Sequence, residues 1–408
     1  MAVNTTFLRT GFVFLVFVVL IHTYLVNLVL ICRASTTAAE SLSQRTKIET
    51  PIKLTSPNVS RSSPRVVNVN VSTPYMPITC DTQYHDSHGH TVQIDKNLLN
   101  SDLLDQHSTK TYKMNVHTVH DVVSDTLKKG AIWEKQLLEL MLFLLKQMNA
   151  KSTIIDIGAN IGFFTSFLAS ENHSVLAIEA FQFNINRLAR TICLNEGMQD
   201  KVKLVKVALS DTANLKMCMW STNKETNNGN ARLTPAFEGF KDFDNDKHVK
   251  CEEYVNTYTL DSLLFTLAGE FQLRERPVIM KMDVEGSETK ILQGAKQFLS
   301  LKFAPCFIFF EHQPIPTKTT GVQVTDIFDI LTTANYDIFY PEALVRSKEL
   351  RSEPRSISRD EWKTVHGMDF VAILSCYRMC QCPHLNPILS RSSPEVVKLN
   401  FDAYDFEV

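Results

Sequence analysis

The 408-residue sequence lacks several features that would assign it to a particular class of protein. Its 42 lysines and arginines nearly balance 44 aspartates and glutamates, and no basic tract is present, so nothing indicates nucleic-acid binding. Paired Cys-x-x-Cys motifs are absent, and Cys376, Cys380 and Cys382 lack the usual spacing of zinc ligands. Internal repeats are absent too. The nine cysteines are too sparse for a disulfide scaffold, yet unusually many for a cytosolic enzyme.

One long apolar segment is present near the beginning of the sequence. Residues 11–32, GFVFLVFVVLIHTYLVNLVLIC, contain no charged side chain. A helix of this length spans a hydrocarbon core of roughly 30 Å. The alternative is a cleaved signal peptide, but the apolar part of such a peptide usually has about 7–15 residues. We therefore predict a short tail over residues 1–10 and a transmembrane signal anchor over residues 11–32.

The orientation of this anchor is open, because two signals disagree. More basic residues follow the segment than the single Arg9 that precedes it, which favours a cytosolic C-terminal side. Three Asn-x-Ser glycosylation patterns begin at Asn58, Asn70 and Asn172, and these favour a lumenal one. A short tail before a long anchor is also typical of secretory-pathway enzymes. We favour a single-pass type II membrane protein with its catalytic domain in the lumen of the endoplasmic reticulum or Golgi.

The rest of the chain divides by composition. Residues 33–79 are rich in Ser, Thr and Pro and cannot bury enough apolar surface to fold, so we predict a disordered stem. An N-terminal extension of the catalytic domain follows over residues 80–129. The catalytic domain itself is predicted over 130–376, and a peripheral tail over 377–408.

Strand-like and helix-like patterns alternate along the catalytic domain. A strong apolar helical stripe runs from Trp133 to Leu145 and ends before Asn149. The predicted strands are 152–158, 173–180, 202–210, 277–286, 304–312, 336–340 and 368–376, and the further predicted helices are 161–171, 184–197, 259–268, 287–300 and 325–334. The segment 212–258 is predicted to be irregular. Such alternation indicates an α/β fold with a doubly wound, mostly parallel sheet.

The turn after the first predicted strand, Asp-Ile-Gly-Ala-Asn-Ile-Gly, lies where α/β proteins bind ligands. A dinucleotide site would have G-x-G-x-x-G and a diphosphate at the helix start. Here the third glycine is missing, and the carboxylate of Asp156 would repel a diphosphate. The pattern favours a cationic, phosphate-free cofactor such as S-adenosyl-L-methionine over the nicotinamide of an NAD-dependent oxidoreductase. The alternative is a turn that serves packing alone.

Two further acids follow the next predicted strands. Glu179 lies about twenty residues beyond Gly158, where an acid commonly accepts hydrogen bonds from both ribose hydroxyls. Asp211 ends the segment Ala-Leu-Ser-Asp and could accept from the adenine amino group, although an Asp also starts turns. Acids at three successive strand ends are difficult to explain by packing.

These residues resemble the FkbM family of S-adenosylmethionine-dependent methyltransferases. The resemblance rests on DIGANIGFF (156–164), IEAFQFNINRL (178–188), VALSD (207–211), NNGNARL (227–233), YTLDSLL (258–264) and KMDVEGSETKILQGA (281–295). It implies a seven-stranded Rossmann-like sheet with an antiparallel last strand and helices on both faces. It also implies methyl transfer to oxygen, often a hydroxyl of a sugar, glycan or small metabolite. The cofactor-binding residues that it implies are Asp156, Gly158, Asn160 and Gly162 for the methionine part, Glu179 for the ribose and Asp211 for the adenine.

Methyl transfer requires groups that orient the acceptor oxygen and accept its proton. We predict that Asp283 does this, that Lys281 holds it by charge, and that Glu285 and Glu311 contact the acceptor. Each has an alternative: Glu285 could cap the following helix, and Lys281 could be a solvated edge residue. His312 is predicted to be structural.

Two questions stay open at this stage. Asp283, Glu285, Glu311 and His312 have side chains suited to a divalent ion, but their spacing does not establish one, and we assign no metal. A methyltransferase-like binding module without catalysis is the main alternative to an enzyme.

Overall fold

The computed structural model describes part of the catalytic region. The described residues are 76, 78, 80, 89–148, 152–221, 231–235, 251–267, 278–300, 304–312, 321–323, 325–341, 344, 356–358, 361–364 and 368–375. They all belong to the second of two compact units, Met1–Asn70 and Val71–Val408. The predicted anchor over 11–32, nearly all of the predicted stem and the predicted tail over 377–408 lie outside the described residues. Within the described part, no helix has the length and apolarity needed to cross a membrane.

The described elements begin in the N-terminal extension and continue to the end of the sheet. The strands are β1 (Gly89–Asp95), β2 (Thr111–His117), β3 (Thr153–Ile157), β4 (Ser174–Glu179), β5 (Val202–Lys206), β6 (Ala208–Leu209), β7 (Lys216–Ser221), β8 (Ala231–Pro235), β9 (Glu253–Tyr258), β10 (Val278–Met282), β11 (Phe307–His312), β12 (Tyr336–Phe339) and β13 (Met368–Leu374). The helices are α1 (Val122–Lys128), α2 (Lys135–Gln147), α3 (Phe163–Ser170), α4 (Gln182–Cys193), α5 (Leu260–Leu267), α6 (Glu288–Gln293), α7 (Lys296–Ser300) and α8 (Asp326–Thr333).

A seven-stranded sheet in the order β12-β13-β11-β10-β3-β4-β5 forms the centre of the domain. The strands from β11 to β5 pair in parallel, whereas β13 runs antiparallel to both β11 and β12. Every residue of β3 and of β10 is buried, as expected for parallel strands whose two faces are both covered. The predicted α/β sheet with an antiparallel last strand is therefore confirmed.

The prediction that residues 212–258 are irregular is wrong. This segment contributes β7, β8 and β9 to a four-stranded sheet in the order β6-β9-β7-β8. The predicted strand over 202–210 divides at Val207, because β5 pairs with β4 whereas β6 pairs with β9. The disulfide between Cys218 and Cys251 links β7 to the residues just before β9.

The N-terminal extension is attached to the sheet domain by a buried ion pair. Lys96, which directly follows β1, pairs with Glu171 at the end of α3, and each side chain is at most 2% exposed. Lys96 Nζ also donates to Ser108 Oγ at 2.9 Å, and the backbone N–H of Asp105 donates to Glu171 Oε2 at 2.6 Å. Their polar groups are thus paired inside the protein, as buried charges require.

The helix predicted over 287–300 is interrupted in the structure. The backbone carbonyl of Gly294 accepts a hydrogen bond from the N–H of Asp261 at 3.0 Å, outside its own helix. A Cβ atom at Gly294 would lie 2.3 Å from the carbonyl oxygen of Ser210. The close approach of these segments therefore separates α6 from α7.

A second disulfide, between Cys80 and Cys193, ties the segment ahead of β1 to the end of α4. The remaining described cysteine, Cys306, is a buried thiol at the start of β11. Burial raises its pKa to about 12, so this thiol stays protonated at neutral pH.

Candidate functional site

A cavity of about 330 Å³ lies beside the carboxyl ends of β3, β4, β10 and β11. Its volume falls within the range of roughly 300–1,000 Å³ that ligand pockets usually have. The carboxyl ends of neighbouring parallel strands meet at one edge of a sheet, so residues far apart in sequence share this wall.

The glycine turn after β3 forms one side of the cavity. Gly158 has φ +76°, and a Cβ atom there would lie 1.8 Å from the carbonyl oxygen of Asp283. Only glycine fits this close approach of the loops that follow β3 and β10. Gly162 has φ +85° and packs against Leu188 of α4, and it does not line the cavity.

Asp156 lies near the end of β3, and its side chain is buried at the cavity wall. Its Oδ2 accepts a hydrogen bond from Thr165 Oγ1 at 2.6 Å. Its Oδ1 is buried and has no hydrogen-bond partner among the described residues. Burial raises the pKa of Asp156, although the positive charge of Lys281 and the bond from Thr165 oppose this. A buried acceptor without a donor is unusual in a native protein and fits a cationic or donor group of a ligand.

Glu179 at the end of β4 holds the glycine turn in place. Its Oε2 accepts from the backbone N–H of Asn160 at 2.8 Å, and its Oε1 accepts from the N–H of Phe181 at 2.8 Å. Asn160 has φ +52°, and its Oδ1 accepts from the N–H of Ile161 at 2.7 Å. Burial raises the pKa of Glu179 to about 7, despite these backbone hydrogen bonds. Each carboxylate oxygen retains a lone pair for a ligand hydroxyl.

Asp211 lies apart from the other predicted cofactor residues. It is exposed, does not line the cavity, and accepts a hydrogen bond from Ser210 Oγ at 2.9 Å. The part of the cavity wall that follows β5 is apolar. It is formed by the second sheet and by the residue just before it. Its members include Val207, Ala208, Leu209, Met219 and Leu233. Such a surface suits the face of a planar ring. The sequence did not reveal the contribution of Met219 and Leu233, because they lie in the segment that was predicted to be irregular.

On the strand next to Asp156, Lys281 of β10 forms an ion pair with Asp283. Lys281 Nζ lies 3.2 Å from Asp283 Oδ2, and the Lys281 side chain is 6% exposed, against 34% for Asp283. The same Nζ lies 4.7 Å from the centre of the Phe164 ring. Burial lowers the pKa of Lys281, but the charges of Asp283, Asp156 and Glu134 outweigh it and raise the pKa overall. Lys281 is therefore a buried cation, not the solvated edge residue of the alternative interpretation.

The loop after β10 also brings Glu285 to the cavity, with φ +55°. The neighbouring Glu288 binds backbone N–H groups of the same loop. Its Oε1 accepts from the N–H groups of Val284 at 3.1 Å and Gly286 at 3.3 Å. Burial raises the pKa of Glu288 to about 8. Glu285 and Glu288 thus lie close together in the loop after β10, and Glu285 lines the cavity.

Glu311 at the end of β11 completes the predicted group. One carboxylate oxygen from each of Asp283, Glu285 and Glu311 lies within 4.8 Å of the others, a spacing at which three oxygens can bind a divalent cation. His312 is not part of this group. It is buried against Phe328 and Phe370, with ring centres 5.1 and 6.4 Å away, in keeping with the predicted structural role.

Glu134 is a cavity residue that the sequence did not reveal. It directly precedes α2, is half-buried, and has φ +43°. The pKa of Glu134 is raised to about 7. Burial is the largest cause, the positive charge of Lys281 opposes it, and the negative charges of Asp283, Asp369 and Glu311 add to it. The sequence signal was only a charged residue at the edge of an apolar helical stripe.

α/β proteins bind ligands at the carboxyl edge of a parallel sheet, and this chain has its glycine turn and buried strand-end acids at that edge. Residues 156–338 match the model of the methyltransferase FkbM domain. The chain is therefore a methyltransferase, and the matched segment begins at Asp156 and includes the glycine turn, Glu179 and the Lys281–Asp283 pair.

Solved methyltransferase structures overlap with the chain only loosely. A precorrin-6y C5,15-methyltransferase from Geobacter metallireducens is 12% identical, with a TM-score of 0.26, and the overlap covers 51% of this chain and 74% of that one. A TehB-like SAM-dependent methyltransferase from Corynebacterium glutamicum is 9% identical, with a TM-score of 0.29 and coverage of 61% and 91%. Comparison with curated protein sequences gives no match. At these scores the overlaps do not define the fold, which rests on the sheet itself.

Proposed function

We propose that the protein is an S-adenosyl-L-methionine-dependent O-methyltransferase that acts on a hydroxyl of a sugar, glycan or small metabolite. The observation that carries this proposal is the combination found in one cavity. The cavity wall carries a buried carboxylate oxygen of Asp156 that has no donor among the described residues, and beside it on the neighbouring strand lies the charged pair of Lys281 and Asp283.

The residues of the glycine turn fit this cofactor. The methionine part carries an ammonium and a sulfonium, and the unpartnered oxygen of Asp156 offers a buried acceptor for positive charge. Asn160 and Glu179 would meet the methionine part and the ribose, while the apolar wall would cover the adenine. Gly158 allows this turn to lie close to the carbonyl of Asp283, and Gly162 packs against Leu188 outside the cavity.

The acceptor side supplies groups for positioning and proton transfer. When bound, S-adenosylmethionine supplies an electrophilic methyl group on sulfur, which is the difficult part of the chemistry. Asp283 would orient the acceptor hydroxyl, held in place by its ion pair with Lys281. Glu285 and Glu311 would contact other polar groups of the acceptor, because both line the same wall.

The decisive experiment is isothermal titration of the full chain, in detergent, with S-adenosylhomocysteine. Binding with a 1:1 stoichiometry is expected. No heat from protein that circular dichroism shows to be folded would contradict the proposal. Transfer of labelled methyl groups to fractionated membrane glycans is then expected. Binding without transfer to any fraction would favour the alternative, a binding module without catalysis.

We further propose that the domain is lumenal and tethered by the helix predicted over residues 11–32. The disulfides Cys80–Cys193 and Cys218–Cys251 support an oxidising compartment, because disulfides are rare in the cytosol. The pattern at Asn172 adds no support. Its Nδ2 donates to Asp105 Oδ2 at 2.7 Å, and a glycan on this nitrogen would disrupt that bond.

Protease protection in sealed microsomes tests this location. The catalytic domain of the full chain is expected to survive until detergent opens the membrane. Digestion before detergent is added would place the domain on the cytosolic side and contradict the proposal.

A further inference from the structure

We propose that Glu134 accepts the proton of the acceptor hydroxyl during methyl transfer, while Asp283 orients that hydroxyl. This inference rests on the proposed function and assigns a role at the same site to a residue outside the matched segment. Three observations on Glu134 carry it: its backbone conformation, its lack of a structural partner and the charges that act on it.

The backbone of Glu134 adopts a conformation that glutamate rarely takes. Six non-glycine residues among those described have positive φ, and four of them are Asn, which tolerates the left-handed region. The other two are Glu134 at +43° and Glu285 at +55°, and both line the cavity. Strained residues of this kind persist where the surrounding structure holds them, and they are concentrated at functional sites.

The carboxylate of Glu134 has no evident structural role. The residue occupies the N-cap position of α2, but its side chain makes no capping hydrogen bond. Within the described part of the chain, the Glu134 side chain makes no hydrogen bond or ion pair, whereas Glu179 accepts two backbone N–H groups. The Glu134 carboxylate therefore remains free to accept a proton from a ligand in the cavity.

Charged groups from three strands line the same cavity as Glu134 and act on its carboxylate through their charges. They are Lys281 and Asp283 at the end of β10, Glu311 of β11 and Asp369 of β13. Burial and the negative charges together raise the pKa of Glu134 to about 7, which suits a base at neutral pH. Asp283 differs because its Oδ2 lies 3.2 Å from Lys281 Nζ, so its carboxylate is already engaged in an ion pair.

The proposed step balances as follows. The acceptor oxygen forms a bond to the methyl carbon as the carbon–sulfur bond breaks, and the electron pair of that bond stays on sulfur. The proton of the hydroxyl passes to a carboxylate oxygen of Glu134. Glu134 then releases this proton to solvent before the next turnover.

The test compares the wild-type full chain with Glu134→Gln, which keeps the shape of the side chain and removes the base. The acceptor is the membrane-glycan fraction that takes labelled methyl groups from the wild type. We expect kcat to fall by roughly 10²–10⁴-fold, with KM and the affinity for S-adenosylhomocysteine within threefold of wild type. The wild-type kcat should rise as pH increases through about 7, and this rise should be lost in the variant.

Thermal unfolding provides a readout that does not depend on activity. The wild type must ionise Glu134 among other acids as pH rises, whereas Gln stays neutral. Glu134→Gln should therefore raise Tm over wild type, and by more at pH 8.5 than at pH 5.5. The matched control is Glu196→Gln, at an exposed position after α4, which should change neither kcat nor Tm.

The proposal requires both results. A variant kcat within threefold of wild type, a change confined to KM, or lost affinity for S-adenosylhomocysteine would each overturn it. A lower Tm for Glu134→Gln at pH 8.5 would make the residue structural and would also overturn it. Absence of methyl transfer by the wild type would instead contradict the proposed function, so the two failures are distinguishable.

Discussion

At the scale of single residues, Asp156 and Asp283 share one cavity but differ in what surrounds their carboxylates. Asp156 is buried and has an oxygen without a donor among the described residues, whereas Asp283 is partly exposed and paired with Lys281. The first arrangement suits a group that binds a cationic ligand, and the second suits a group that remains oriented while an acceptor enters.

This contrast predicts that the same substitution, Asp to Asn, affects binding at one position and turnover at the other. Asp156→Asn should weaken S-adenosylhomocysteine binding roughly ten- to hundredfold, because a hydrogen bond to a charged group contributes about 1.5–3 kcal/mol. Asp283→Asn should leave binding within threefold and lower kcat. Titration calorimetry and labelled methyl transfer measure the two effects. Equal loss of binding in both variants would contradict the separate roles.

The sequence predicted the residues of the glycine turn better than the rest of the site. Asp156, Gly158 and Asn160 lie in one short strand–turn–helix segment, so the local pattern carries the information. Glu134 acquires its role from Asp283, Glu311 and other residues that lie far along the chain. No local pattern signals such a meeting, and the apolar wall from the second sheet was missed for the same reason.

At the scale of elements, the loops after β3 and β10 are in close contact at Gly158. Gly158 and Gly197 both have positive φ, at +76° and +72°, but their surroundings differ. A Cβ at Gly158 would lie 1.8 Å from the carbonyl oxygen of Asp283, whereas a Cβ at Gly197 would have no atom within 4 Å.

The two glycines therefore form a matched pair for substitution by alanine. Gly197→Ala should cost about 1–2 kcal/mol, the price of the left-handed conformation alone. Gly158→Ala should cost about 1–3 kcal/mol more from overpacking, and should also weaken cofactor binding. Urea unfolding and titration with S-adenosylhomocysteine measure both effects. Equal losses of stability would show that the contact with Asp283 relaxes freely.

Element prediction succeeded where a strand or helix is specified by its own residues. β3 and β10 are short, wholly buried strands made mostly of apolar residues, and both were predicted. The helix over 287–300 was predicted unbroken because its local pattern is continuous, and the contact of Gly294 with Ser210 is tertiary. Strands β7 to β9 stabilise each other by pairing, so none has a strong signal alone.

At the scale of the whole molecule, stability should depend on pH through buried acids. Burial raises the pKa of Glu179 to about 7 and that of Glu288 to about 8, above the ordinary value of about 4.3. The folded protein therefore holds protons that the unfolded chain releases. This contribution to stability is fully present below pH 4 and is lost as pH rises through 7 to 8.

We expect the Tm of the cofactor-free protein to fall between pH 6.5 and 8.5. Glu288→Gln should reduce this fall, since it removes one of the titrating groups. The variant can keep both backbone hydrogen bonds, because a single oxygen, Oε1, accepts from Val284 and Gly286. Scanning calorimetry across this range tests the prediction. Parallel Tm curves for variant and wild type would contradict it.

The disulfide between Cys80 and Cys193 also determines how mechanical force would enter the domain. It closes a covalent loop with a sequence separation of 113, and the β1–β2 hairpin lies within that loop. Tension on the chain ahead of Cys80 would pass through the sulfur atoms to the end of α4 and would not peel the hairpin from the domain. The N-terminal end of α4 lies three residues after Glu179. Force from a tether would therefore reach the helix that starts beside the candidate cofactor site.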